Sequence, residues 1–341
     1  MSIYKLNQSK DIIIDFVIPW VDGNDLSWRA ERDKYTPHLQ EDSREERYRD
    51  WDNLRYWFRG VEQFAPWVNK IYFITWGHVP NWLNTQNRKL VIVNHKDFIP
   101  QKYLPVFNVN PIEVNLHRIK GLSEHFVYFN DDMFIISTMK KSDFFKEGLP
   151  CETAAVTVHC LDTRFNTYGP FQAIGIVNKY FDYKKTLLKH WKKWFNPKNG
   201  KNVLRTLYLL PCPRFPGIYQ THLPTALLKN TFEILWGLEP DLLQETSASR
   251  FRNKLDYTQW LFKDWQLASG NFVPRNSNIG KSFLVEKENS ISYIEKYIKL
   301  QKGKMICIND NTLTDIQFEN YKNRIIKAFQ KILPEKSSFE S

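Results

Sequence analysis

The sequence predicts an α/β fold: a mixed or parallel sheet flanked by helices, with a largely helical insertion in the second half. Three observations carry that prediction. Short apolar runs at Asp11–Trp20, Lys70–Thr75, Leu90–Val93 and Phe126–Phe129 have the length and composition of buried strands. Between the first two, Leu54, Trp57, Phe58 and Val61 recur at helical spacing. The first and last runs end in polar, acidic clusters, VDGND and NDD, where an open α/β sheet binds its ligands. Strands alternating with helices in this way argue for a nucleotide-binding topology.

Taken in order, the first strand ends in Asp22, Gly23 and Asp25 at a loop tip. Gly23 would let the backbone approach a diphosphate closely, although Asp-Gly-Asn-Asp is also ordinary turn chemistry. Glu41–Arg49 alternates in charge and reads as exposed. A helix is expected from Asp50 to the stop at Pro66. Arg49 and Arg55 are candidates for phosphate contact, because the guanidinium fork donates two parallel hydrogen bonds. Seven of the twelve tryptophans lie between Trp20 and Trp82. Trp20, Trp76 and Trp82 fall near loops, where they could stack on a base or sugar or serve the core.

The stretch Asn108–Ile136 is the densest in chemistry. Asn110 is the expected N-cap, Pro111 the first helical residue and Glu113 the capping-box acid, with Gly121 as the stop. Glu113 and His117, four apart, would share a helix face, and Arg118 follows directly. The strand Phe126–Phe129 then runs into Asn130-Asp131-Asp132. Strand alternation would put Asn130 and Asp132 on one side and Asp131 on the other. Acids at such an end suit a hard cation, which prefers oxygen ligands.

Further on, Glu152–His159 reads as a strand and Phe181–Phe195 as a basic, aromatic helix bearing Lys184, Lys185, Lys189, Lys192 and Lys193. That helix presents either a solvated face or one that meets a glycan or anionic lipid. Asn196–Asn202 is a polar break and the best internal boundary. Pro211–Pro224 is proline-stiffened and carries His222. After a helix around Leu227–Leu238, an extended Ser249–Arg252 would turn Arg250 and Arg252 to one face. Met305–Ile308 is a strand finished by Asn309-Asp310-Asn311, and Ile316–Leu333 is an amphipathic helix expected to tie the C-terminus down.

Composition narrows the partners. Hydrophobic residues are 42% of 341 and the net charge is +11, so a core is available and an anionic partner is expected. A nucleotide-sugar, a polyanionic glycan and an acidic membrane surface qualify; nucleic acid does not, for want of a recognisable module. Cys151, Cys160, Cys212 and Cys307 form no CxxC pair and no apolar leader precedes them, which predicts reduced thiols in the cytoplasm. No apolar run approaches the roughly 20 residues of a membrane span, so peripheral attachment is the most membrane contact expected.

Four ordered blocks resemble the conserved regions of the Stealth family of sugar-1-phosphate transferases, which includes a catalytic relative in the animal lysosomal-enzyme GlcNAc-1-phosphotransferase. IDFVIPWVDGND resembles the first region. RYRDWDNLRYWFRGVEQFAPWVNKIYFITWGHVPNWLN through HRIKGLSEHFVYFNDD resembles the second. YQTHLP with SASRFRNKLD resembles the third, and ICINDN with PEKSSFE the fourth. The resemblance implies one catalytic unit over 1–341: a nucleotide-sugar-binding half at 1–160, a mainly helical part at 161–250, and 251–341 completing the site. It implies transfer of a hexose 1-phosphate from a UDP-sugar to a glycan hydroxyl with release of UMP. The alternative is a metal-dependent glycosyltransferase that releases UDP.

Under that resemblance Asp132 with Asn130 would hold a divalent cation, Mg2+ or Mn2+, or orient the acceptor. Arg250 and Arg252 would clamp phosphates and His222 would take the acceptor proton. Asp131, Asp132 and Asp310 are the metal candidates. Asp22, Gly23, Asp25, Arg49, Arg55, Glu113, His117 and Arg118 are the substrate-binding ones. The chain departs from the family pattern at Ile18-Pro19, where tyrosine and threonine are common, and at Trp76, where an acid or asparagine is frequent.

Overall fold

The computed structural model describes residues 12–36, 50–160, 168–286, 288–309 and 313–341. β1 (Ile14–Pro19) is buried almost throughout, as an interior parallel strand must be. Asp25 then caps α1 (Leu26–Tyr35) by accepting from the Trp28 amide at 2.9 Å. α2 (Leu54–Phe64) buries the predicted apolar stripe, and β2 (Ile71–Thr75) and β3 (Leu90–Asn94) follow. α3 (Val109–Asn115) passes through a 3-10 turn and a left-handed Gly121 (φ +82°) into β4 (His125–Tyr128). After a tight turn come β5 (Met133–Ile135), α4 (Lys141–Phe144), β6 (Phe145–Lys146) and β7 (Leu149–Glu152).

The second half begins with four helices: α5 (Tyr168–Tyr180), α6 (Tyr183–Lys189), α7 (Trp191–Trp194) and α8 (Asn202–Tyr208). Then come β8 (Thr225–Leu228), α9 (Lys229–Leu238), α10 (Pro240–Ala248) and α11 (Gln259–Ala268). β9 (Val273–Pro274), β10 (Gly280–Leu284), α12 (Glu288–Lys299), β11 (Met305–Asn309) and α13 (Asp315–Ile332) complete the order.

The main sheet runs β3-β2-β1-β4-β8, parallel except for β8, which is antiparallel to β4. Its side chains alternate between two cores. Phe16, Ile18, Ile71 and Phe73 face one core with α2 and α13; Val17, Tyr72, Ile74 and Phe126 face the other with α9 and α11. A second sheet, β10-β11-β5, grows from the turn that ends β4. The chain end is tied down as expected: Arg59 meets both Glu340 oxygens at 2.7 Å, and Phe339 is buried. The α/β class is thus observed, with mixed sheets flanked by helices.

Several sequence expectations shift. The strand at Glu152–His159 is replaced by the end of β7 and a single bridge, Val156 to Ile218. Side chains take the amides there: Ala154 N–H donates to Asn199 Oδ1 and Val156 N–H to Thr206 Oγ1. That same buried Asn199 donates to the Lys193 and Trp194 carbonyls, so the polar break at 196–202 is stitched into its surroundings. The Phe181–Phe195 helix is two helices, interrupted at His190 (φ −112°, ψ 27°). Leu227 and Leu228 belong to β8, and the following helix starts at Lys229. The N-cap before Glu113 is Asn108, not Asn110, so Glu113 is freed from capping.

Candidate active site

The carboxyl ends of the parallel strands open on one side of the sheet, and four chain segments meet there. β1 delivers Trp20–Gly23 and β4 delivers Asn130–Asp132. Because β8 is antiparallel and pairs Thr225 with Tyr128, the residues before it, including His222, lie at the carboxyl end of β4. β11 pairs Cys307 with Met133, and the Ile308 amide donates to the Asp132 carbonyl at 2.9 Å, which brings Asn309 to the same place. Together with α3 and the first turn of α11 these segments enclose a cavity of about 580 Å3.

Six carboxylates line it: Asp22, Asp50, Glu113, Asp131, Asp132 and Asp256. Against them stand Arg252 and the imidazoles of His95 and His222. In a chain of net charge +11, this cavity is the acidic exception.

Asn130, Asp131 and Asp132 all line the cavity, whereas strand alternation would have divided them. β4 ends at Tyr128, and the turn that follows abolishes the two-residue period. The Cys307 thiol donates to Asp132 Oδ2 at 3.2 Å, while Asp132 Oδ1 is buried without a hydrogen-bond partner. Burial pushes the Asp132 carboxyl up to about 6 and the Cys307 thiol well up. Asp131 is open to cavity water yet enclosed by protein; desolvation, then the charge of Asp132, raises it to about 7, a rise that water in reach moderates. Two repelling acids and one orphaned oxygen fit a hard cation, which would reverse both shifts.

His222 adopts a left-handed backbone (φ +48°), a conformation that side chains enter at a cost and that clusters at working sites. One of its ring nitrogens, the Asp132 carboxylate and the Cys307 sulfur lie within 4.8 Å of one another. Asn309 Nδ2 sits 3.0 Å from His222 Nδ1 and 3.2 Å from Ser282 Oγ, fixing the ring. Burial lowers its pKa, so the ring stays neutral at physiological pH.

On the opposite wall, Glu113 is buried and accepts from the Gln259 amide at 2.8 Å, with the Tyr128 hydroxyl beside it; desolvation lifts its carboxyl to about 7. Asp256 Oδ2 accepts from Asn108, Asn110 and Asn253, locking the segment that carries Arg252 onto α3.

The predicted residues divide clearly. Asp22, Gly23, Glu113, Asn130, Asp131, Asp132, His222 and Arg252 line the cavity. Asp25 is spent on the α1 cap and on His78, 3.2 Å away. Arg55 stacks on Trp82, 5.3 Å from the ring centroid. The 3-10 turn at Leu116–Arg118 rotates His117 away from Glu113, onto Phe232 and Trp236, and Arg118 over Trp236. Bends at Arg250 and Phe251 part the two arginines: Arg250 donates to the Pro105 carbonyl at 3.0 Å and covers Tyr35. Arg49 and Asp310 lie outside the described residues. Of the tryptophans, Trp20 lines the cavity while Trp76 and Trp82 do not. Asp50, Asp256, Asn309 and Trp260 join the cavity beyond the residues the sequence pattern singles out; the acid in RDWDN and the asparagine ending the MICIN strand are the signals it carries for them.

Comparison with known proteins agrees with the first two sequence blocks. Residues 14–40 match the Stealth protein conserved region 1 and residues 47–151 conserved region 2. The capsular polysaccharide phosphotransferase WcwK of Streptococcus pneumoniae is 46% identical over 96% of this chain and 98% of that relative. The receptor polysaccharide phosphotransferase WefC of Streptococcus oralis is 42% identical over 96% and 99%, and the exopolysaccharide phosphotransferase cps2G of Lactiplantibacillus plantarum 38% over 96% of each. Among solved structures, the galactosyltransferase LgtC superposes with a TM-score of 0.37 at 8% identity, covering 92% of this chain and 95% of that one. A likeness at that score carries no argument about the site.

Proposed function

The chain belongs to the Stealth family and is a polysaccharide phosphotransferase by its relatives; from that premise we propose that it moves a hexose 1-phosphate from a UDP-sugar to a glycan hydroxyl. The observation that carries the reading is the convergence of His222, the Asn130–Asp132 turn and Arg252 on one cavity. Phosphoryl transfer asks for positioning and charge neutralisation more than covalent help, and this set supplies both.

The acceptor oxygen bonds to the sugar-proximal phosphorus. The bridging P–O bond breaks, UMP leaves with the electron pair, and the hydroxyl proton passes to His222. For Nε2 to take it, Nδ1 must carry a proton and donate to Asn309, which requires the amide oxygen of Asn309 to face the ring. Arg252 pairs with a phosphate oxygen. Asp132, held by the Cys307 thiol, and Asn130 set the reacting end. Trp20 and Trp260 offer flat faces for base or sugar.

Asp131 and Asp132 would hold a divalent cation, of the Mg2+ or Mn2+ kind by their oxygen donors; such an ion neutralises phosphate charge. The four cysteines are free thiols, and the reading places the enzyme in the cytoplasm, at or near the inner membrane face. No described helix is long and apolar enough to cross a membrane.

The test is to supply a UDP-sugar, a divalent cation and a capsule-type oligosaccharide and identify the nucleotide released. We expect acceptor-dependent UMP and a phosphodiester in the product. Acceptor-dependent UDP with a glycosidic bond would replace this reading with the glycosyltransferase one.

A further inference from the structure

Residues 183–214 hold nine lysines and arginines and no aspartate or glutamate. Eight of the nine are exposed. The same segment exposes large apolar side chains: Leu188 is 76% exposed, Trp191 55%, Leu204 69% and Tyr208 84%, with Leu207 and Leu210 also open. These are not needed for the local core, which Tyr183, Leu187, Trp194 and Phe215 form against Leu267 and Phe272. Each helix buries one side and presents leucine or an aromatic with basic residues on the other, lysines on α6 and α7 and Arg205 on α8.

We propose that the outward face of α6, α7 and α8 docks on an anionic lipid surface. Basic residues draw the face to acidic headgroups, strengthening binding about fivefold for each one near the surface. The leucines, Trp191 and Tyr208 enter the headgroup boundary, where amphipathic aromatics partition. A soluble polyanion would match the charge but leaves the exposed leucines unexplained. The face is fastened to the catalytic cavity. Its core packs on α11, Lys193 donates to the Gly270 carbonyl at 2.6 Å, and the opposite end of α11, Gln259 and Trp260, lines the cavity.

The full chain is sedimented with phosphatidylcholine vesicles, with and without phosphatidylglycerol, at low and near-physiological salt. It binds the phosphatidylglycerol vesicles alone, and salt weakens binding. Trp191→Ser with Tyr208→Ser weakens binding about tenfold, since it removes two interfacial anchors. Lys189→Glu with Lys192→Glu abolishes it at near-physiological salt. All four positions lie outside the cavity, so melting temperature and turnover on a soluble acceptor stay unchanged. No binding at low salt overturns the proposal. So does vesicle binding that the Trp191/Tyr208 pair leaves intact while heparin displaces the protein, which would make the face a polyanion site. The assay needs no donor, so its failure leaves the reading of the cavity untouched.

Discussion

The cavity and the α6–α8 face invert each other's charge. The cavity gathers six carboxylates around one arginine, while the segment 183–214 exposes eight cations and holds no acid. The net charge of +11 alone suggests a basic pocket for a dianionic donor. The structure instead spends the positive charge outside, so the diphosphate of the proposed donor would meet a wall of carboxylates. Burial already holds Glu113 up near 7, which lessens the repulsion without removing it. A diphosphate enters such a site when a cation accompanies it, so binding of the two should be coupled.

The largest expected effects come from the acid turn and the histidine. Asp132→Asn should abolish transfer yet keep or slightly raise the melting temperature, because it relieves repulsion and leaves an oxygen for the Cys307 thiol. His222→Ala should cut turnover by roughly two to four orders of magnitude, with donor affinity little changed. A mutant that keeps its turnover but loses donor binding would move His222 to the nucleotide site.

The two arginines separate more gently. Arg252→Ala should raise the KM for donor about tenfold or more, the cost of one charged hydrogen bond. Arg250→Ala should leave KM alone and lower the melting temperature, since it strips the Pro105 carbonyl and uncovers Tyr35. The reverse pattern would mean that the segment refolds around substrate.

The smallest effect is in stability. The buried Glu113 and Asp264 have folded values raised to about 7, against about 4 unfolded. The folded state therefore binds more protons, and stability falls as pH rises through that window. Without added cation, the melting temperature should climb a few degrees from about pH 8 to about 6.5, and Glu113→Gln should flatten the slope. Below about 6.5 the buried His95 and His117, depressed to about 4 and about 3, oppose the gain because the unfolded chain takes their protons.

Much of this was legible in sequence where local pattern decides. The four parallel strands, the Leu54–Val61 stripe and the acidic tips all lie where apolar runs and turn chemistry placed them. What failed depends on tertiary partners. No periodicity could show that Asn199 and Thr206 would claim the amides of Ala154 and Val156 and so dissolve a strand. A helix that tightens to 3-10 at Leu116 turns His117 out of register with Glu113. An extended segment would pair Arg250 with Arg252 on one face, but the lock of Asp256 on Asn108 and Asn110 bends the segment and admits only Arg252. Asp50 was hidden because its place opposite Asp22 is set by the sheet, 28 residues along the chain from its neighbour.

The coupling of cation to donor is tested most directly by calorimetric titration of UDP-sugar into the protein with Mg2+ or Mn2+ and again with a chelator. The acidic cavity predicts that the chelator weakens donor binding at least about tenfold. It also predicts that Asp131→Asn with Asp132→Asn makes the remaining affinity indifferent to metal. Equal donor affinity in chelator and in cation would contradict it.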